Sequence, residues 1–140
     1  LPVVVHARGA VARVVAVLGE FPEVTGVLHS FPGGPDVALR LVDGGWCVSF
    51  SGSVTRPRAK RVHRLARELP EYGILVETDA PAIGLEGVEA ADVEPRHVVQ
   101  VARALAALRG VDAAEIAAVT TANARRVFGP RLDSTIGSRA

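Results

Sequence analysis

Ile74-Leu75-Val76-Glu77-Thr78-Asp79-Ala80-Pro81 is an apolar run without alternation that leads straight into a carboxylate and a turn. A strand apolar on both sides belongs to a parallel sheet with both of its faces covered. Two further runs have the same form: Pro2-Val3-Val4-Val5 leads into His6, and Val27-Leu28 into His29. In a parallel α/β barrel the catalytic side chains sit at the carboxyl ends of strands. Three metal-capable side chains in that position predict a hydrolytic metal site.

The rest of the chain repeats strand, loop and helix. Strands are predicted at 3–6, 24–29, 46–51 and 74–78, each rich in β-branched and apolar residues. Helical periodicity places Val11, Val14, Val15 and Leu18 on one face of 10–18, and Val37, Leu41 and Val42 on one face of 36–43. In 58–69, Val62, Leu65 and Leu69 point inward and Arg58, Arg61 and Arg64 outward. Pro95 opens a helix over 96–108. Asp112 and Glu115 have the spacing of a capping box for a short helix from Ala113, and a last helix over 121–128 ends at Gly129. Such alternation predicts an α/β fold with four parallel strands and flanking helices. Four units cannot close a barrel of eight, and an open sheet exposes its edges. The pattern therefore fits half of a TIM (β/α)8 barrel, able to self-associate through its open sheet edges, with 130–140 as a loose tail. The chain has no methionine, which reads as a piece of a longer protein.

Composition narrows the function. With 49% hydrophobic and 22% charged residues the chain is globular. No apolar stretch approaches the roughly 20 residues that cross a bilayer, and the start lacks the basic segment and cleavage site of a signal peptide. No membrane partner and a cytoplasmic location are expected. The single cysteine, Cys47, lies in an apolar run and is read as a small core residue. A net charge of +1 does not by itself imply nucleic acid.

Five segments carry a family resemblance: Pro2-Val3-Val4-Val5-His6-Ala7-Arg8, Leu28-His29-Ser30-Phe31-Pro32-Gly33-Gly34, Val48-Ser49-Phe50-Ser51-Gly52, Val76-Glu77-Thr78-Asp79-Ala80-Pro81 and Thr121-Ala122-Asn123-Ala124-Arg125-Arg126-Val127-Phe128. In this order and at these separations the chain resembles TatD-type metal-dependent hydrolases from Leu1 to Gly129. The resemblance implies an eight-stranded barrel of the amidohydrolase kind, with these strands as its fifth to eighth, hence the C-terminal half. It implies two divalent ions, Mg, Mn or Zn. His6 and His29 resemble the pair that holds one ion. Asp79 resembles the carboxylate that binds the other and takes the proton of the attacking water. The family's His-x-His pair and bridging glutamate are expected upstream of Leu1. The implied function is divalent-metal-dependent hydrolysis of DNA phosphodiester bonds, a deoxyribonuclease, with the isolated fragment inactive.

Neutral imidazoles and carboxylates suit these ions, and two ions about 3.5 to 4 Å apart can hold a hydroxide and a phosphoryl oxygen together. A carboxylate then accepts the water's proton, a role an amide cannot fill. Glu77, two residues before Asp79, shares its strand face. An ion pair with an arginine is slightly favoured over support of a metal ligand from behind. Arg8, two residues past His6, suits a phosphate at the mouth of the site. In the run Arg56-Pro57-Arg58-Ala59-Lys60-Arg61, only Arg56 and Arg58 are placed to reach substrate phosphates, with Arg64 and Arg67 towards the opposite end. His63 and His97 are read as ordinary surface residues. The family usually carries a basic stretch and an Asn-Glu-Pro triplet before Pro95, but residues 82–94 here are acidic and lack the asparagine. An acidic rim repels a DNA partner. It favours one alternative, an amidohydrolase or lactonase acting on a small molecule; a catalytically incompetent half-barrel is the other alternative.

Overall fold

The computed structural model describes residues 1–129; the tail expected at 130–140 lies outside them. Strands β1 (Val3–His6), β2 (Gly26–His29), β3 (Cys47–Phe50) and β4 (Ile74–Val76) form one sheet in the order β1-β2-β3-β4. Every pairing is parallel. Helices α1 (Val11–Gly19), α2 (Pro35–Asp43) and α3 (Lys60–Glu68) connect successive strands, and α4 (Val98–Arg109) and α5 (Ala113–Phe128) follow β4.

Side chains alternate across the strands and divide the sheet into two environments. Leu28, Val48 and Ile74 face the main core with Leu41 and Val42 of α2, Leu65 of α3, Val101 and Leu105 of α4 and Ile116 of α5. Val27, Cys47 and Leu75 form a smaller cluster with Ala124 and Val127 of α5. Two residues further along the same strand faces stand His29, Ser49 and Glu77, so the second face turns polar where the strands end. Gly26 lets β1 and β2 meet: a Cβ there would lie 1.8 Å from the Val3 carbonyl oxygen.

The structure corrects several expectations. β1 is not buried on both faces, since Val3 and Val4 are 39% and 60% exposed; among the described residues it pairs only with β2. The strands expected at 24–29, 46–51 and 74–78 are shorter, each losing residues where the backbone turns into a loop. Helices expected from Ala113 and over 121–128 are one helix, α5, because Ile116-Ala117-Ala118-Val119-Thr120 contains nothing that breaks it. Asp112 is its N-cap residue, but the Asp112/Glu115 side-chain capping box does not form. The box lies instead at Glu94 and His97, around a 3-10 turn, Pro95–His97, that leads into α4. The helix expected from Arg58 starts at Lys60, leaving Arg58 in the preceding turn.

Candidate metal centre

His6 and His29 end β1 and β2 and are register partners across the two strands. Their rings stand 5.5 Å apart between centroids, tilted by 38°. Asp79 lies three residues beyond the last residue of β4, in a left-handed conformation with φ of 58°. That conformation is uncommon outside glycine and is best tolerated by asparagine and aspartate. Its carbonyl accepts hydrogen bonds from the backbone N–H groups of Ala82 and Ile83, which fold the following loop back over the carboxylate's own residue. His6, Arg8, His29 and Asp79 line one cavity of about 640 Å³, together with Ser30, Phe31, Ser53, Ala82 and Ile83.

Both ring nitrogens of His29 face carboxylates. Nδ1 lies 2.9 Å from Glu77 Oε2, and Nε2 lies 3.3 Å from Asp79 Oδ1. Glu77 Oε2 also accepts a hydrogen bond from the Ser49 hydroxyl. With Nδ1–H donated to Glu77, a neutral imidazole presents a lone pair at Nε2 towards a carboxylate oxygen. Two acceptors face each other there, an arrangement that cations held by these groups would resolve. The second oxygen of Glu77, Oε1, is buried without a partner, and such a group in a folded protein calls for an explanation such as an ion. Donor atoms of His29, Glu77 and Asp79 lie within 4.8 Å of one another. The donor set, one imidazole and two carboxylates with a second imidazole beside it, fits a hard or borderline divalent ion.

Among the described residues Glu77 has no arginine partner. Its partners are His29 and Ser49, because residue 77 follows β4 on the strand face shared with those two side chains, while Arg126, which reaches the same layer, is spent on Cys47 and the Tyr72 carbonyl. Arg56 does not line the cavity; its Nη2 donates to the Gly84 carbonyl at 3.2 Å and so ties down the acidic loop. The Thr55 hydroxyl assists by accepting from the Glu86 N–H at 2.8 Å. Arg58 is exposed and also outside the cavity lining. Arg64 pairs with Glu68 one helical turn away, and that carboxylate raises the guanidinium pKa further. The two histidines read as surface residues have local structural roles. His63 Nε2 lies 3.0 Å from the Val54 carbonyl, and His97 Nδ1 accepts the Glu94 N–H at 2.8 Å. Ser30, Ser49, Ser51 and Ser53 were legible only as strand and loop residues, yet their hydroxyls form the floor beneath the imidazole.

The sequence pattern described as "TatD related DNase" matches residues 1–129. The chain belongs to the TatD-related DNase family. Among its curated relatives are two named "Uncharacterized metal-dependent hydrolase". YabD of Bacillus subtilis is 35% identical over 130 residues, covering 91% of this chain and 51% of YabD. YcfH of Escherichia coli K12 is 40% identical over 129 residues, covering 91% of this chain and 49% of YcfH. The crystal structure of the TatD homologue YJJV from Escherichia coli superposes with a TM-score of 0.83 at 31% identity, over 91% of this chain and 49% of YJJV. A TatD-family hydrolase from Entamoeba histolytica shares the fold, with a TM-score of 0.73 at 17% identity, over 91% of this chain and 50% of that protein. This TatD-family chain thus spans about half the length of the curated relatives it matches. Among its described residues no helix is long and apolar enough to cross a membrane.

Proposed function

We propose that the protein carrying this chain is a divalent-metal-dependent hydrolase that cleaves phosphodiester bonds of DNA. The observation that supports it most directly is the position of His29, bridged between Glu77 and Asp79 at the wall of a cavity that Arg8 also lines. In this reading His6 and His29 hold one ion and Asp79 the other, with Mg, Mn or Zn as the candidates. Ions held by these residues would supply Lewis acidity towards the phosphoryl oxygen and lower the pKa of the attacking water. Asp79 accepts the proton of the attacking water and fixes its direction. Glu77 sets the tautomer of His29 by accepting the hydrogen bond from its Nδ1–H, which keeps Nε2 available as a ligand. Arg8 contributes a fork of donors to a phosphate.

A small-molecule amidohydrolase or lactonase is the second reading, favoured by the acidic loop. That loop adds Ala82 and Ile83 to the cavity wall, while Arg56, spent on Gly84, does not line the cavity. The deciding experiment offers linear and nicked DNA, then a panel of lactones, esters and amides, to the protein with Mg²⁺, Mn²⁺ or Zn²⁺ and with chelator. Metal-dependent scission of DNA that disappears in Asp79→Asn supports the first reading. Turnover confined to lactones or amides overturns it in favour of the second.

A further inference from the structure

Ser30 is the second residue of the described chain other than glycine with a left-handed backbone, at φ of 42°. It directly follows the imidazole at the heart of the site, and such strain persists only where its surroundings hold it. The N–H and the hydroxyl of Ser30 are anchored on β3 and the residue that follows it. Its N–H donates to the Ser49 hydroxyl at 3.0 Å, and its own hydroxyl meets that of Ser51 at 2.9 Å. Ser51 continues to the Ser53 hydroxyl at 3.3 Å. Ser51 is 1% exposed and outside the cavity lining, whereas Ser30 and Ser53 both line the cavity.

Proton accounting gives this row a direction. Three hydroxyls carry three protons, and the two contacts between them consume two. One O–H is left over at an end of the row. Among the described residues neither Ser30 Oγ nor Ser53 Oγ meets another acceptor. Each end opens into the cavity that His29 and Asp79 share. Ser49, by contrast, spends its proton on Glu77.

We infer that Ser30, Ser51 and Ser53 form a hydroxyl relay that presents one hydrogen-bond donor to a non-bridging phosphoryl oxygen of the substrate, with buried Ser51 as its positioning residue. The inference rests on the phosphodiesterase reading and names what holds the substrate oxygen facing the serine wall. A neutral donor suits that place, because it adds directionality without competing with the divalent ions for the phosphate charge. The row can donate from either end by turning all three hydroxyls, so it serves substrates that present their oxygen at either position.

The test titrates inorganic phosphate into the Mn²⁺-loaded and the metal-free protein by calorimetry. It compares wild type with Ser51→Ala, Ser53→Ala and the double variant, and follows kcat and KM on a phosphodiester. Ser51→Ala, which strips both end hydroxyls of their common support, is expected to weaken phosphate binding by about three- to tenfold, the size of one net hydrogen bond, and Ser53→Ala, which leaves the Ser30 end able to donate, by no more than that. The double variant should lose no more than the worse single, because both break one relay. KM should rise by the same factor while kcat stays within about twofold. Thermal melting of each variant separates loss of the relay from loss of the fold, and half-exposed Ser53 provides the variant least coupled to folding. Phosphate affinity unchanged in Ser51→Ala, multiplying losses in the double variant, or wild-type protein that binds no phosphate overturns the relay. Relay-dependent phosphate binding without phosphodiester turnover sustains the relay and removes the phosphodiesterase reading. Turnover that ignores both serines does the reverse.

Discussion

Glu77 Oε2 lies 2.9 Å from Nδ1 of His29, a residue 48 positions earlier in the chain. The contact fixes which imidazole nitrogen faces the cavity, although Glu77 does not itself line it, and in the proposed reading it supports the metal ligand from behind. Glu77→Gln is expected to weaken divalent-ion binding by about 10- to 100-fold, as loss of such outer support does in other metal sites. Competition against a fluorescent chelator measures it. Affinity equal to wild type would place Glu77 outside the metal site's support.

Asp79 is assigned the proton of the attacking water. Asp79→Asn should lower kcat by about 10² to 10⁴ and leave the fold intact, because asparagine also tolerates the left-handed backbone found at φ of 58°. Asp79→Ala lacks that tolerance and should melt lower than Asp79→Asn. Single-turnover kinetics with matched melting curves distinguish the two effects, and an Asn variant that turns over normally would remove Asp79 from the chemistry.

Two arginines that look alike in sequence should behave differently. Arg8 lines the cavity, so Arg8→Ala should raise KM for DNA and reduce the slope of log affinity against log salt by about one. Arg56 is tied to Gly84, so Arg56→Ala should leave the salt slope unchanged and speed amide hydrogen exchange around Gly84–Val88. Exchange unaltered by Arg56→Ala would break the argument for its structural role.

Cys47 is buried in the layer between β3 and α5. Burial pushes its thiol pKa up, against a smaller lowering by the Arg126 guanidinium, whose Nη2 lies 3.1 Å from Sγ. A native thiol that holds its proton more tightly than the unfolded one stabilises the fold fully below the unfolded pKa, about 8.5. That contribution is lost as pH rises through the folded value. Melting temperature should therefore fall on the alkaline side in wild type, and that component of the fall should vanish in Cys47→Ala. Rapid reaction of native protein with a thiol reagent at pH 8 would contradict the burial argument.

The strand ends were legible because β-branched runs and the residue that terminates them are local signals. His6, His29 and Asp79 could be picked out one by one, and the parallel sheet brings them to one cavity. What escaped is long-range. No local pattern tells that the partner of Glu77 is His29 rather than an arginine, since that depends on the register of β2, β3 and β4. The serines of Val48-Ser49-Phe50-Ser51 looked like interruptions of an apolar strand, and only the strand alternation, combined with neighbours on both sides, makes them a polar floor. Arg56 and Arg58 stay out of the cavity lining because the 3-10 turn Gly52–Thr55 and the turn at Arg58 intervene between β3 and α3, which no helical periodicity in the run reveals.

The struts from Thr55 and Arg56 to residues 84 and 86 separate two kinds of evolutionary freedom. The donors around His29 are built on strands and on the residues that terminate them, where a change of shape disturbs the sheet. The wall formed by Ala82 and Ile83 belongs to a loop fastened at those two points and anchored in the core through Leu85 and Val93. A grafted loop meant to reshape this wall would therefore have to keep core residues at 85 and 93 as well as the contacts to Thr55 and Arg56, while His6, His29 and Asp79 stay on the strand ends as they are.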